Sequence, residues 1–281
     1  CVVDLATMRE AMADLGGAGG GVGSRGSSAG PTAAGKVLAV LGTFGRGQES
    51  QTLTQIAHRS GLALSTAHRV VGELAAWGAL ERTEDGDWHI GLRLWEVASA
   101  SPRSRILRDV ALPFMQDLYE GTHENIQLAV REGTELVFLE RIAGHRSVDL
   151  LTMVGARFPL ASTGMGRVLL AYAPSDIQEA VLGGPLTAWT AHTETDADAL
   201  RRQLNRIRRE HYIVSDRQLS DSTVAVAAPV RLGPSGPVQA ALGIVVAARS
   251  AARVRSLRDP LIRAAQGISA ELGRRAVPGA D

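Results

Sequence analysis

The segment Ser162-Thr163-Gly164-Met165-Gly166 stands directly before an apolar run, RVLLAYA, with helical patterning. Hydroxyls and glycines at the start of a helix leave backbone N–H groups unpaired and let a guest approach the chain closely. Such a turn offers partial positive charge to an anion, and a carboxylate is the natural guest. The plain alternative is a strand-to-helix connection whose glycines serve only turn geometry. A second group is Ser65, Thr66, His68 and Arg69, on the polar side of a helical pattern whose other side carries Ala67, Val70 or Val71, Leu74 and Trp77. Short hydroxyls reach phosphate oxygens, and an arginine reaches a phosphate or a guanine edge. Against that stands a solvated face on which Ser65 merely caps the helix. Arg82 opens a hairpin and is a further candidate for a phosphate or minor-groove contact. Glu84, Asp85 and Asp87 beside it repel phosphate and argue for a shallow approach.

Other chemistries find less support. Ser162, Thr163, His145, Asp149 and Asp216 include a nucleophile, a base and an orienting acid in type, but no nucleophile elbow, phosphate loop or dinucleotide fingerprint accompanies them. Neither catalysis nor a cofactor is expected. His58 and His89 lack a cysteine or carboxylate cluster at ligand spacing, so they read as surface or packing residues. Arg201, Arg202, Arg206, Arg208 and Arg209 read as a solvated helix face balanced by Asp198 and Glu210, not as a nucleic-acid patch. With a formal net charge of +1, any grip on a polyanion must come from local placement of charge. The one cysteine, Cys1, excludes a disulfide framework, and no apolar run approaches the roughly 18 residues of a membrane span. A reducing cytoplasm fits these features.

The elements that position these residues follow from pattern. At 281 residues the chain has room for two domains, and its 45% hydrophobic and 21% charged composition supports a core in each. Residues 1–31, rich in Gly, Ser and Ala, read as a flexible tail, within which Met8 is a candidate start. Val37, Leu38, Leu41 and Phe44 mark a first helix before Gly45 and Gly47. A second helix, capped by Thr52 or Thr54 and ended by Gly61, leads through a short turn into the helix bearing Arg69. ALERT, EDGD and WHIGLRL then read as strand, turn and strand, which completes a winged helix-turn-helix over residues 32–96. A linker helix over 97–120 carries Ile106, Leu107, Val110, Phe114 and Leu118, with a kink at Pro113. Residues 121–276 mix strand runs, including a clear hairpin in NIQLAVREGTELVFLERIA, with helices at 175–182, 196–210 and 253–272. In the last, Leu257, Leu261, Ile262, Ala265 and Ile268 form the buried stripe. The fold class is α+β, two domains, the second on an antiparallel sheet.

Several motifs in this order resemble the IclR, or isocitrate lyase regulator, family of bacterial transcription regulators. The likeness rests on TLTQIAHRSGLALSTAHRVVGELAAWGALERTEDGDWHIGLRL, RFPLASTGMGRVLLAY, HYIVSDRQLSDSTVAVAAPV and AALGIVV. It implies binding of double-stranded operator DNA, a GAF-like effector domain, a small organic acid as effector, and assembly as dimers or dimers of dimers without enzymatic activity. It also implies a pocket formed by Leu160, Gly164, Met165, Ser215, Ala225, Gly243 and Val245. Arg167 departs from the Lys common after the loop glycine. Ala225, Gly243 and Val245 stand where polar side chains are frequent, which implies a roomier, more apolar cavity than a two-carbon or three-carbon acid needs.

Overall fold

The computed structural model describes residues 32–45, 48–143 and 152–276, with backbone alone for residues 102–104 and 251. The stretch 1–31, Gly47, His145 and Asp149 lie outside the described residues. The chain divides into two compact units, one ending at Ser99 and the other beginning at Ala100.

The first unit runs α1 (Ala33–Leu41), β1 (Ser50–Gln51), α2 (Leu53–Ser60), α3 (Leu64–Trp77), β2 (Leu80–Arg82), β3 (Trp88–Ile90) and α4 (Leu92–Ser99). Thr52 starts α2 through a reciprocal capping box with Gln55, and Gly61 ends it in the left-handed conformation at φ 66°. Val40, Ile56, Val70, Val71, Leu74 and Leu80 form the core under a three-stranded sheet of order β1-β3-β2. β1 was not legible from the sequence.

Three expectations for this unit are corrected. Leu38 is 67% exposed, because the i, i+3, i+4, i+7 stripe is Val37, Val40, Leu41 and Phe44, with Phe44 already beyond the helix. Trp77 is 50% exposed and lies under the Arg93 guanidinium, 5.6 Å from the ring centroid; it is the last residue of α3, and the buried stripe of the helix stops at Leu74. The run WHIGLRL is strand only through Ile90. Helix α4 follows, its first amide, Leu92 N–H, donating to the Glu81 carboxylate at 2.9 Å.

The second unit runs α5 (Pro102–Thr122), β4 (Asn125–Glu132), β5 (Glu135–Ile142), β6 (Arg157–Pro159), α6 (Gly164–Ala171), α7 (Ser175–Leu182), α8 (Ala197–Glu210), β7 (Ile213–Asp216), β8 (Thr223–Arg231), β9 (Val238–Ala247) and α9 (Val254–Ala276). The single linker helix expected over 97–120 is two helices, α4 and α5. Pro102 opens α5 and disfavours helical backbone at the residue before it, which breaks the run between them. Pro113 sits inside α5 without ending it.

The six strands pair antiparallel in the order β6-β5-β4-β9-β8-β7. Their alternation sorts the two faces. Ile126 and Leu128, Val224, Val226 and Ala228, and Leu242, Ile244 and Val246 meet α5 and α9 in one core, with Leu107, Val110, Met115, Leu257, Leu261 and Ile268. Each of the Val, Leu, Ile and Met side chains, fully buried, contributes about 1.5–3 kcal/mol. Ile106, expected in this stripe, is exposed, while Leu107, expected beside it, is buried. The opposite face is built of small residues, Ala225, Ala227, Ala241 and Gly243, and this lets α6 lie close against β8 and β9.

Candidate functional site

In the first unit, α3 presents Ser65, His68 and Arg69 to solvent, with Thr66 half-buried, while Ala67, Val70, Val71 and Leu74 face the core. Ser65 is not the cap: Ala63 holds that position, and no side chain caps the helix. Ala63 O instead accepts from Thr66 N–H and Ala67 N–H, both at 2.9 Å, which leaves the amides of Leu64 and Ser65 outside the ladder. Arg69 is paired with Glu73 one turn on, at 2.7 Å, in an exposed ion pair. Arg82 folds back over the wing turn, donating from Nε to Gly86 O at 3.0 Å, with its guanidinium 5.7 Å from the Trp88 ring. His58 is exposed and His89 lies 3.9 Å from Glu81. Among the described residues no group of His, Cys, Asp and Glu is arranged to hold a metal.

In the second unit a cavity of about 60 Å³ lies between α6 and the small-residue face of the sheet. Gly164, Met165, Ser215, Ala225, Gly243 and Val245 all line it. Leu160 does not: it is wholly buried in the short turn before α6, and its carbonyl would stand 2.3 Å from any Cβ at Gly166. That contact explains why Gly166 must lack a side chain. Thr163 caps α6, its hydroxyl accepting from Gly166 N–H at 2.9 Å, so the amides of Gly164 and Met165 remain for a guest.

The space freed by Gly243 is not empty. Met165 Sδ would lie 2.8 Å from a Cβ there, so its thioether fills the notch and keeps the cavity small. The expectation of a roomy site is corrected to that extent. The strand floor is apolar, but Gln127, Thr152, Gln218, Ser220 and Thr223, together with Phe138, complete the wall. Sequence reasoning missed these residues. Gln127 lies in a strand read only as a hairpin arm, and its partners are remote in sequence.

Arg167 is the buried charge of the site, 1% exposed. Its guanidinium donates to Ala161 O at 2.7 Å, Gln203 Oε1 at 3.0 Å and Gln218 Oε1 at 2.6 Å. Burial lowers its pKa to about 10, partly offset by the charge of Glu194, so it stays cationic at neutral pH. A fixed cation behind the loop adds to the field that the α6 amides offer an anion. Gln218 passes this support to the cavity wall: its Oε1 also accepts from Glu194 N–H at 2.8 Å.

The hydroxyls considered for catalysis are otherwise engaged. Ser162 Oγ accepts from Trp189 Nε1 at 2.9 Å, and Asp216 is bound by Arg217 at 2.9 Å, which holds its carboxyl below the usual range. Helix α8 is more than a solvated face. Arg201 pairs with Asp198 and Glu179, and the half-buried Arg208 donates to Ala171 O at 2.7 Å and Gln178 Oε1 at 2.8 Å. Among the described residues no helix is long and apolar enough to cross a membrane.

A helix-turn-helix unit joined in one chain to a curled antiparallel sheet that carries a small cavity is the architecture of a transcription regulator with a C-terminal effector domain. Residues 33–84 match the IclR helix-turn-helix domain, and residues 101–270 match the family described as bacterial transcriptional regulator IclR C-terminal. The chain belongs to the IclR family of HTH-type transcriptional regulators, which are not enzymes. It is 33% identical over 224 residues to the HTH-type transcriptional regulator BhcR of Paracoccus denitrificans, covering 78% of this chain and 79% of that protein. It is 29% identical over 196 residues to KipR of Bacillus subtilis, covering 69% and 78%. The structure of an IclR homolog from Microbacterium hydrocarbonoxydans, complexed with 4-hydroxybenzoate, superposes with a TM-score of 0.80. The identity is 38%, over 86% of this chain and 98% of that one.

Proposed function

We propose that this chain is a cytoplasmic regulator that binds a pseudo-palindromic operator as a homo-oligomer, controls a catabolic or metabolic operon, and responds to an aromatic monocarboxylic acid. In this reading residues 32–96 dock on DNA and residues 121–276 hold the effector. Ser65, Thr66, His68 and Arg69 meet the major groove and its phosphates, and the free amides of Leu64 and Ser65 add to the phosphate grip. Arg82 meets backbone beside the wing.

One observation carries the effector assignment: two unpaired amides, Gly164 and Met165, at one end of a floor made of Ala225, Gly243 and Val245 with the Phe138 ring in the wall. The amides suit a carboxylate, and the floor suits a flat apolar body. The aromatic acid bound by the Microbacterium homolog supports the same class of ligand. A cavity of about 60 Å³ is smaller than the ~150 Å³ that accepts benzene in an engineered core. Met165 therefore turns out of the Gly243 notch as the ring enters, a motion its unbranched thioether allows at low cost.

Calorimetric titration of the full chain with benzoates, glyoxylate and pyruvate tests the reading, alongside operator gel shifts with and without each acid. Aromatic acids are expected to bind more than tenfold tighter than the short ones and to change operator affinity. Selective binding of glyoxylate or pyruvate with exclusion of the benzoates would overturn it.

A further inference from the structure

The polar side chains around the cavity are not equally available. Gln218 is saturated by Arg167, Glu194 N–H and His192 O. Ser220 bonds Ser222, Thr163 caps α6, and Thr223 donates to Ser220 O. Of the polar side chains that the strands themselves bring to the cavity, two keep an atom with no partner among the described residues. One is Ser215, which packs against Gly164 and so belongs to the carboxylate end. The other is Gln127, only 1% exposed, whose single hydrogen bond joins Nε2 to Thr152 Oγ1. Its other amide heteroatom lines the cavity without a protein partner among the described residues.

Strand register places these two at opposite ends. One row across the sheet runs Ser215, Ala225, Val245 and Asn125, and the next runs Ile213, Ala227, Gly243 and Gln127. From β7 to β4 is three strand spacings, roughly 14 Å, with only Ala225, Val245 and Gly243 between. Asn125, beside Gln127 on the same face, carries a buried Nδ2 that also has no partner among the described residues. Asn125 does not line the cavity, so the far end is marked by the buried Gln127 amide, and a purely apolar guest would leave its free heteroatom unpaired.

We propose that Gln127, held by Thr152, is the specificity-determining residue that receives a hydroxyl on the end of the effector remote from its carboxylate. The proposal rests on the aromatic-acid reading above and narrows it to acids hydroxylated at the far end of the ring. A hydroxyl both donates and accepts, so it satisfies the free heteroatom whichever way the amide is turned. It also separates this reading from simple burial, which favours a methyl group at the same position.

The test is calorimetric titration of the full chain and of its Gln127→Leu and Thr152→Val variants with benzoate, 4-methylbenzoate and 4-hydroxybenzoate. The wild type is expected to bind 4-hydroxybenzoate about tenfold or more tighter than 4-methylbenzoate. In Gln127→Leu that ratio is expected to fall to about one, with 4-methylbenzoate bound at least as well as before, and Thr152→Val is expected to give an intermediate ratio. A wild-type ratio near one overturns the proposal while leaving the aromatic-acid reading in place, and it does so without any variant. A large ratio that persists in Gln127→Leu also overturns it, because the hydroxyl is then read elsewhere. If no benzoate binds the wild type, the aromatic-acid reading falls and this proposal with it.

Discussion

Helices α3 and α6 both begin with amides that no side chain among the described residues takes, yet they sit in opposite surroundings. Every residue of α6 is buried, whereas α3 buries four of its fourteen residues and leaves most of the others exposed. In α6 the free amides are backed by the fixed charge of Arg167 and walled by packed residues. In α3 they stand beside exposed side chains, one of which, Arg69, is already paired with Glu73. The same backbone device thus has two strengths. Desolvated, it can select one anion by shape. Hydrated, as in the DNA contact proposed above, such amides contribute a modest, salt-screened share.

The largest effect that would sharpen this contrast is expected at Gly166. Gly166→Ala drives a methyl against Leu160 O and should destabilise the second unit by about 3 kcal/mol, read as a lower unfolding midpoint in urea. Full stability would show that the start of α6 is not tightly packed.

Arg167→Leu comes next. It leaves Ala161 O and the Gln203 and Gln218 amides without their donor, and should cost about 2–3 kcal/mol together with a tenfold or larger loss of effector affinity. The pH dependence has a definite sign. The folded-state pKa, about 10, lies below the ordinary guanidinium range, so burial disfavours the charged form and stability contributed through this group rises only above pH 10. Between pH 6 and 9 effector affinity should not titrate through Arg167. A loss of affinity across that window that Arg167→Leu abolishes would contradict this.

On the hydrated side, Arg69→Ala should weaken operator binding by roughly 1–3 kcal/mol if the guanidinium meets a base, with the fold unchanged. Unchanged affinity in gel shifts at matched salt removes Arg69 from the contact. The smallest effect is expected for Glu73→Gln, which frees Arg69 from an exposed ion pair and removes a negative charge near phosphate. Operator binding should tighten by about 0.5 kcal/mol, and more so at low salt.

The sequence by itself determined the local elements. Thr52, Gln55 and Gly61 bound α2 through caps that act within one turn, and the alternation in TVAVAAPV and VQAALGIVV specifies strands with two distinct faces. The Gly164-Met165-Gly166 turn was legible for the same reason, since an uncapped helix start is a property of a few consecutive residues. Where a stripe was misread, at Leu38 and Trp77, the error was one of register or of where the core ends, and both depend on what packs opposite. Only the tertiary structure decided which side chains close the cavity. Gln127, Phe138, Thr152 and Gln218 come from separate segments, and the pairing of β4 with β5 together with the loops before β6 and after β7 brings them to one wall. It also decided that the glycine at 243 accommodates Met165 and that Arg167 lies buried among neutral acceptors. Caps and periodicity are set by neighbours along the chain, whereas burial, desolvation and hydrogen-bond satisfaction are set by neighbours across it, which a single sequence does not name.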